Sequence, residues 1–538
     1  MALDDWFLTA DERGNAATRI DSGRSGAPSA DTVAWTTGNL VVAHVHGASY
    51  FPRLYEVVSQ LKAGDHLFVT DWRGDPDERL AGPGTEVSYV LSEAARRGVC
   101  VKGLVWRSHL DRFQFSSEEN RHLGEEVDAA GGEMLLDQRV RPGGSHHQKL
   151  VVARYAGRKP YGVAFVGGID LCHSRHDDEN HLGDPQPQRL PGPYGPTPPW
   201  HDVQLEISGP AVSDLELTFR ERWEDPTPIS LNPVGLALDK LRGDDRRGGP
   251  LPPVPPTPPA SGPHAVQVLR TYPKRRPPYP FAPDGERSVA RAYRKAMSRA
   301  RRLVYLEDQY LWSTSVAKVL GEALRRSPDL HILAVVPRFP DRSGRVSTPM
   351  NLVGRDQAMA VLDALGPGRV HVFDVENLAG TPVYVHAKVC VVDDVWCSVG
   401  SDNFNLRSWS HDSELTAAVL DETRDARHPE DPAGLGDGAR VFARDLRLRL
   451  WREHLGREEG HYDDLLDPSS ALESFGKCAD ALDDWYRSGR KGPRPAGRVR
   501  RHRTIPLTPS ARVWATPLYR SLVDPDGRPI RLRLRDRW

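Results

Sequence analysis

The hydrophobic positions of the chain fall into short apolar runs separated by amphipathic stretches, and the same order of runs occurs twice. In the first series the pattern predicts a strand, a helix and a strand at residues 66–74, 84–98 and 99–109. In the second series it predicts a strand, a helix and a strand at residues 302–312, 316–328 and 330–339. Strand–helix–strand units of this length predict a parallel or mixed sheet covered by helices.

Each series leads to a further apolar strand that is preceded by the pattern His-x-Lys. The first copy is His147 and Lys149, and the second copy is His386 and Lys388. We therefore interpret the chain as an internal duplication. The predicted fold class is α/β, with two pseudo-symmetric halves, each a mixed β-sheet flanked by helices. The predicted active site lies at the interface between the halves.

A stretch dominated by proline and glycine, residues 248–263, divides the chain and is predicted to be a semi-rigid linker. The division gives three predicted parts, at residues 1–247, 264–465 and 466–538. The third part is rich in arginine, and we expect it to be a solvated extension or a contact for anionic lipid headgroups. Its last residues, 527–538, have a β-like pattern.

Composition and charge narrow the range of functions. The chain of 538 residues is 38% hydrophobic and carries a formal net charge of −1, so no global basic field points to a nucleic-acid partner. Its five cysteines lack C-x-x-C spacing, which predicts neither a disulfide framework nor a zinc site. We expect no metal and no cofactor. The acidic start of the sequence and the lack of a long apolar run predict a cytoplasmic protein without membrane spans. Separately, we expect a monomer.

The second His-x-Lys copy has a chemistry that suits phosphate. Side chains at i and i+2 of a strand share a face, so His386 and Lys388 point the same way. An imidazole can attack phosphorus while an ammonium neutralises a non-bridging oxygen. Asp393, Ser401 and Asn403 follow at fixed spacing.

The first copy continues in a similar way after His147 and Lys149. Gly168 takes the position of Ser401, and Asp170 takes that of Asn403. Two such half-sites facing each other would supply a nucleophile, a general acid and two phosphate-binding lysines.

The segment from His386 to Ser401 resembles the HKD signature of the phospholipase D superfamily. Further blocks are similar to eukaryotic-type and especially plant-type phospholipases D, at residues 165–177, 199–223, 266–273, 305–312 and 411–421. The resemblance runs from about residue 40 to about residue 455. It implies hydrolysis of the distal phosphodiester bond of glycerophospholipids such as phosphatidylcholine, giving phosphatidate and a free headgroup through a phosphohistidine. It also implies transphosphatidylation, and a phospholipid at a membrane surface as the partner.

The resemblance also implies roles for individual residues. The catalytic set is His147, Lys149, His386, Lys388 and Asp393. His147 would form the covalent intermediate and His386 would protonate the leaving alcohol, although the reverse assignment stays open. The substrate- and phosphate-binding set is Ser401, Asn403, Gly168 and Asp170.

A catalytic histidine needs a partner at its second ring nitrogen. Glu414 is the candidate in the second half, and Asp177 or Asp178 is the candidate in the first half. Trp200, His201 and Asp202 match a block near the substrate entrance, and Asp308 and Gln309 follow a predicted strand toward the cleft.

Arg154 is the point at which this chain departs from the family pattern, because the resemblance places an aspartate there. The departure keeps open the alternative of a half-degenerate protein that binds phospholipids without cleaving them. The resemblance keeps a second alternative open, because the superfamily includes nucleases: a phosphodiesterase or nuclease that acts on a non-lipid substrate.

Overall fold

The computed structural model describes residues 2–22, 33–108, 117–229, 233–242, 247–342 and 344–538. The strands of the first half are β1 (Thr36–Val45), β2 (His66–Asp71), β3 (Cys100–Trp106), β4 (Glu133–Asp137), β5 (Leu150–Arg154), β6 (Gly162–Gly167), β7 (Trp200–His201) and β8 (Val203–Ser208). Those of the second half are β9 (His264–Tyr272), β10 (Glu286–Arg287), β11 (Leu303–Glu307), β12 (His331–Val335), β13 (Val370–Val375), β14 (Tyr384–Val385), β15 (Val389–Val392), β16 (Trp396–Gly400), β17 (Glu414–Asp421) and β18 (Val499–Arg501).

The helices lie between these strands and in the C-terminal part of the chain. Up to residue 247 they are α1 (Ala10–Arg13), α2 (Arg19–Ser22), α3 (Gly47–Ser59), α4 (Val87–Arg96), α5 (Ser117–Ala129), α6 (Ala211–Trp223) and α7 (Pro233–Arg242). After the linker they are α8 (Ser288–Arg299), α9 (Thr314–Arg326), α10 (Ser347–Leu365), α11 (Leu406–Ser410), α12 (Val441–Leu455), α13 (Asp463–Leu466), α14 (Pro468–Arg487), α15 (Pro509–Leu518) and α16 (Ile530–Leu534).

The strand order shows the duplication directly. The first half runs β4-β3-β2-β5-β6-β8-β1, and the second half runs β13-β12-β11-β15-β16-β17-β9, with β18 added at its outer edge. Strands β4, β3 and β2 of the first half are parallel, as are β13, β12 and β11 of the second half. The other neighbouring strands of the sheet, including β18 on β13, pair antiparallel. β1 pairs with β9 and joins the two halves into one continuous mixed sheet. The predicted α/β fold class of two pseudo-symmetric halves is confirmed.

Buried apolar strands explain why this sheet forms. β5, β6, β15 and β16 are buried along their whole length, which is typical of strands covered on both faces. Helices α6 and α12 cover one face of the sheet, and their residues Phe219, Trp223 and Trp451 join a core shared by both halves. On the opposite face, α3 and α4 cover the first half, while α8 and α9 cover the second half. These layers hold the starts of β5 and β15, where the His-x-Lys motifs lie.

The two ends of the chain differ from the sequence prediction. Trp6 and Phe7 are buried in the core of the second half, so the start of the chain packs across the predicted division. The prediction that residues 527–538 are β-like is wrong, because Ile530–Leu534 form helix α16. A strand needs a partner, and the outer edge of β13 is already occupied by β18. The exact boundaries of the predicted parts stay predictions.

The departure at Arg154 has a structural explanation. The Arg154 guanidinium is fully buried and lies 3.1 Å from Glu216 Oε2 on α6. Its Nη2 donates to the carbonyls of Pro255 (3.1 Å) and Pro256 (2.7 Å) in the linker. Arg154 therefore fastens the linker to the first half, at the far end of β5 from His147.

Candidate active site

The two motif histidines are each held by a carboxylate from the opposite half. His147 Nδ1 lies 2.9 Å from Glu414 Oε2 at the start of β17, and His386 Nδ1 lies 2.6 Å from Asp202 Oδ2 just before β8. A carboxylate oxygen accepts the Nδ1 proton, which leaves Nε2 as the reactive nitrogen of each ring. The register of β8 on β6 and of β17 on β16 makes Asp202 and Glu414 equivalent positions.

The backbone N–H of each motif histidine also forms a hydrogen bond with the opposite half. The His147 N–H donates to the Ser413 carbonyl (2.9 Å), and the His386 N–H donates to the His201 carbonyl (2.8 Å). The short strands β7 and β14 pair in parallel beside this second contact. Each half therefore presents its catalytic strand end to the other, and this fixes both rings at the interface.

The two lysines lie beside their histidines and face buried acids. Lys149 Nζ donates to the His147 carbonyl at 3.0 Å and lies 3.1 Å from Asp170 Oδ1. Lys388 Nζ donates to the His386 carbonyl. Burial and then Lys149 lower the pKa of Lys388 to about 8, against the opposing effect of Asp202. Both ammonium groups are therefore fixed before any phosphate binds.

Asn403 and Ser401, two of the predicted phosphate-binding residues, have different surroundings. Asn403 lines the cleft, and its Oδ1 is buried without a hydrogen-bond partner among the described residues. Ser401 Oγ donates to Glu414 Oε2 at 2.5 Å, so Ser401 supports the partner of His147.

Gly168 makes room for a neighbour instead of binding a ligand. A Cβ at this position would lie 2.1 Å from Asp202 Oδ1. Its N–H donates to the Val203 carbonyl at 3.0 Å. The pair Gly168 and Asp202 therefore corresponds to the pair Ser401 and Glu414 of the other half.

Asp170 belongs to a buried charge network. It pairs with Lys149 and lies 3.4 Å from Arg175 Nη2. Nearby cations outweigh burial and lower the pKa of Asp170, whereas burial and the charge of Asp170 raise the pKa of the neighbouring Asp71.

A cleft of about 1150 Å³ opens over the two histidines. Its wall is aromatic and cationic, and includes Trp72, Trp106, Trp200, Tyr384, Arg73, Arg175 and Arg407. The Trp200 ring lies 5.0 Å from the His386 ring, and the Arg175 guanidinium stacks 4.0 Å above Trp200. Such a wall combines apolar contact with attraction for anions.

Exposure and charge distinguish the two histidines. The His147 side chain is 16% exposed, whereas that of His386 is 7% exposed. Burial, followed by the charges of Lys388 and Arg175, holds the pKa of His386 well below its usual range. An anion bound by the lysines would offset part of that positive charge, and would therefore raise the pKa of His386.

Two of the sequence predictions are corrected. Asp177 and Asp178 were candidates to orient a histidine, but Asp177 accepts the Trp200 N–H (2.8 Å) and Asp178 accepts the Asn180 N–H (2.8 Å). The partner of His386 is Asp202, and the partner of His147 is Glu414. The two carboxylates are exchanged between the halves, which the linear order of the motifs does not reveal.

Asp393, predicted as catalytic, lies at the opposite end of β15 from Lys388. Its carboxylate accepts the backbone N–H groups of Arg301 (2.7 Å), Arg302 (2.9 Å) and Leu303 (2.8 Å) at the start of β11. This geometry gives Asp393 a positioning function and no contact with the cleft. In the first half, Asp65 just before β2 accepts the Ala156 N–H just after β5 at 2.8 Å. A carboxylate therefore connects the corresponding pair of strands in each half, but it lies next to β15 in the second half and next to β2 in the first.

Asp308 and Gln309 do end their strand at the site. Asp308 accepts the Phe404 N–H at 2.9 Å, as Asp71 accepts the Leu171 N–H at 2.8 Å in the first half. Gln309 lines the cleft and donates to the Tyr384 hydroxyl at 2.5 Å. These contacts position the turns that carry Asn403 and Asp170.

The fold and the site define an α/β protein whose two halves each supply a His–Lys pair to one cleft. Residues 135–240 match the family model described as "Phospholipase D", and residues 293–429 match "Cardiolipin synthase, PLD-like domain". The chain belongs to the phospholipase D superfamily.

Named relatives share this similarity at low identity. The "Phospholipase D alpha 2" of Oryza sativa subsp. japonica is 26% identical over 67% of this chain and 54% of its own length. The "Phospholipase D alpha 1" of Cynara cardunculus is 24% identical over 81% of this chain and 67% of its own. The chain therefore spans about half to two thirds of these relatives. Among solved structures, phosphatidylserine synthase from Haemophilus influenzae Rd KW20 is 12% identical, with a TM-score of 0.48, over 71% of this chain and 82% of that chain.

The described helices include none with the length and apolar character that crossing a membrane requires.

Proposed function

We propose that the protein is a phospholipase D that cleaves the distal phosphodiester bond of glycerophospholipids such as phosphatidylcholine. The observation that carries the proposal is the exchanged pairing of His147 with Glu414 and of His386 with Asp202 around one cleft. This pairing leaves two Nε2 atoms available for one phosphate. The family matches support a phosphodiester substrate, and the names of the plant relatives support a phospholipid.

The first step forms a phosphohistidine. His147 Nε2 donates its lone pair to phosphorus while the bond from phosphorus to the headgroup oxygen breaks. Protonated His386 transfers its Nε2 proton to that oxygen, so the headgroup leaves as a neutral alcohol. Lys149 and Lys388 balance the charge of the non-bridging oxygens. The rise in the pKa of His386 that a bound phosphate brings favours its role as the acid.

The second step releases phosphatidate. Neutral His386 takes a proton from a water molecule, the water oxygen attacks phosphorus, and the bond to His147 Nε2 breaks. An alcohol in place of water gives transphosphatidylation by the same sequence of bonds. The match of residues 293–429 to a cardiolipin synthase-like model favours this second outcome as an additional activity. Action at a membrane surface and a monomeric state belong to the same proposal.

One assay tests this proposal against its alternatives. The full chain is incubated with phosphatidylcholine vesicles and ethanol, and phosphatidate, choline and phosphatidylethanol are measured. We expect all three products, and their loss in His147→Ala and His386→Ala. Parallel reactions contain single-stranded DNA and a soluble nitrophenyl phosphodiester. Cleavage of those substrates alone would point to a non-lipid phosphodiesterase, and vesicle binding without any product would point to a binding protein.

A further inference from the structure

A second cluster of titratable side chains lies behind the His386 half-site. It contains His46 just before α3, His181 in the loop after β6, His201 in β7 and Glu453 in α12. Glu453 Oε2 lies 2.9 Å from His46 Nε2, and Glu453 Oε1 lies 3.0 Å from His181 Nε2 and 3.4 Å from His201 Nδ1. The four donor atoms all lie within 4.8 Å of one another. The histidines are buried, and the Glu453 side chain is 10% exposed.

The proton positions in this cluster call for a cation. His181 Nδ1 lies 3.1 Å from the Trp200 carbonyl, an acceptor, so this nitrogen carries the proton of a neutral ring. His181 Nε2 nevertheless faces the Glu453 carboxylate. His201 has the same conflict, because its Nε2 lies 2.7 Å from Glu307 and its Nδ1 faces Glu453. Each ring therefore needs either a second proton or a metal ion between its second nitrogen and Glu453.

The backbone holds two of these rings in an uncommon conformation. His46 has a φ of 69° and His181 has a φ of 55°, both in the left-handed region that disfavours non-glycine residues. Asn377 Nδ2 donates to the His181 carbonyl at 2.8 Å and helps to fix this turn. Such strain persists where the surrounding structure requires one side-chain direction. Here the direction is toward Glu453.

We propose that His46 Nε2, His181 Nε2, His201 Nδ1 and Glu453 form a binding site for one divalent first-row transition-metal ion, with zinc as the representative ion. Imidazole and carboxylate donors suit this class, and four such donors fit a closed tetrahedral structural site. Ligands about 2.0–2.1 Å from a tetrahedral ion are about 3.3 Å apart. The separations of 3.0 and 3.4 Å from Glu453 Oε1 to the His181 and His201 nitrogens are close to that value, and His46 Nε2 lies 2.9 Å from the other carboxylate oxygen, Oε2.

The groups behind two of the three histidine ligands match those of metal sites. A ligating histidine usually gives its other N–H to a carboxylate or a backbone carbonyl, which fixes the tautomer. The Trp200 carbonyl serves His181, and Glu307 serves His201. Glu307 is in turn held by His454 Nε2 at 2.7 Å and by the Tyr305 hydroxyl at 2.5 Å.

The site would connect the two halves and stabilise the catalytic geometry. Three ligands come from the first half, and Glu453 comes from the second. The His201 carbonyl accepts the N–H groups of His386 (2.8 Å) and Ala387 (3.1 Å), and the next residue, Asp202, holds the His386 ring. The ion would therefore position Asp202 without touching the substrate. This proposal revises the expectation of no metal, and it does not depend on which phosphodiester the enzyme cleaves.

Metal content and stability of the full chain test the proposal. The chain is treated with a chelator, dialysed and titrated with zinc chloride by calorimetry, and its melting temperature is followed at each step. We expect one zinc ion per chain, and a melting temperature that falls by several degrees on chelation and returns on addition of zinc. Cobalt(II) in the same site should give the visible absorption of a tetrahedral ion.

Variants separate this site from adventitious binding. Glu453→Gln and His46→Gln should lose the stoichiometric zinc and the effect of the chelator. His371→Gln is the matched control, because His371 Nε2 lies 3.1 Å from His331 Nδ1 in a different histidine pair, and it should retain both. If Glu453→Gln does not fold, the titration of the wild-type chain still decides. Absence of stoichiometric zinc binding to the wild-type chain, or equal binding by folded Glu453→Gln, would overturn the proposal and would indicate doubly protonated histidines instead.

Discussion

Asp202 of the first half lies 2.6 Å from the ring of His386 in the second half, and Glu414 of the second half holds His147 of the first half in the same way. Each motif histidine therefore takes its orienting carboxylate from the opposite half. The exchange makes the contact between the halves part of the chemistry, because separation of the halves would remove the orienting group of both rings.

Replacement of either carboxylate should reduce the reaction while the fold is retained. We expect Asp202→Asn and Glu414→Gln each to lower kcat by about 10²–10⁴-fold, since an amide no longer fixes the productive tautomer. The measurement is kcat on phosphatidylcholine, with circular dichroism to check folding. Asp178→Asn, an exposed aspartate outside the cleft, is the control and should retain wild-type activity. Equal activity of all three variants would contradict the exchanged pairing.

Gly168 should not tolerate the serine that its counterpart position carries. A Cβ there would lie 2.1 Å from Asp202 Oδ1, so Gly168→Ser displaces the group that holds His386. We expect a loss of kcat by about 10²-fold or more through the misplaced carboxylate. Gly124→Ala is the control, because its Cβ would meet Met134 at an ordinary 3.5 Å. Wild-type turnover in Gly168→Ser would show that Asp202 has room to move without consequence.

Arg154→Asp should destabilise the protein instead of restoring a family feature. The new carboxylate would face Glu216 in a buried position, and the carbonyls of Pro255 and Pro256 would lose their hydrogen-bond donor. We expect the free energy of unfolding to fall by about 3–5 kcal/mol. Urea denaturation measures this change. The control Arg96→Asp, at an exposed pair with Glu93, should alter stability by about 1 kcal/mol or less. A more stable or more active Arg154→Asp variant would refute this function of Arg154.

The pH dependence should have an alkaline limb set by Lys388. Burial lowers the pKa of this ammonium to about 8, so as the pH rises through 8 the free enzyme loses a positive charge from its phosphate site. We expect kcat/KM to fall above that pH. In Lys388→Arg the limb should move to higher pH, since a guanidinium stays charged, even if the overall rate is lower. An unchanged alkaline limb in Lys388→Arg would assign it to another group.

The sequence predicted the fold better than it predicted the contacts within the site. Helix α4 and strands β2 and β3 follow directly from local periodicity, which the burial of their apolar faces enforces. The pairing of Asp202 with His386 was missed. A long insert, residues 169–201, separates Asp202 from Gly168, whereas only residues 402–413 separate Glu414 from Ser401. An alignment of "HDVQLEI" (residues 201–207) with "SELTAAV" (residues 413–419) as equivalent strands places Asp202 opposite Glu414. This alignment could have revealed that the two carboxylates are equivalent.

Two other features depend on contacts that local patterns do not encode. The sequence pattern indicates the loss of a motif residue at Arg154, whereas the partners of this side chain, Glu216, Pro255 and Pro256, are distant in the sequence. The histidine cluster around Glu453 is likewise assembled from four separate segments without a metal-binding spacing. Sequence spacing detects sites that lie within one segment, whereas the tertiary fold creates these two.

The most direct test of the central claim is to locate the covalent intermediate. A nitrophenyl ester of phosphatidate has a leaving group that needs no general acid, so His386→Asn should form the phosphoenzyme but should hydrolyse it slowly. The reaction is stopped in alkaline denaturant, which preserves phosphohistidine, and is mapped by mass spectrometry. We predict a phosphatidyl adduct on His147. An adduct on neither motif histidine, in this variant or in the matching His147→Asn variant, would contradict the two-half-site account.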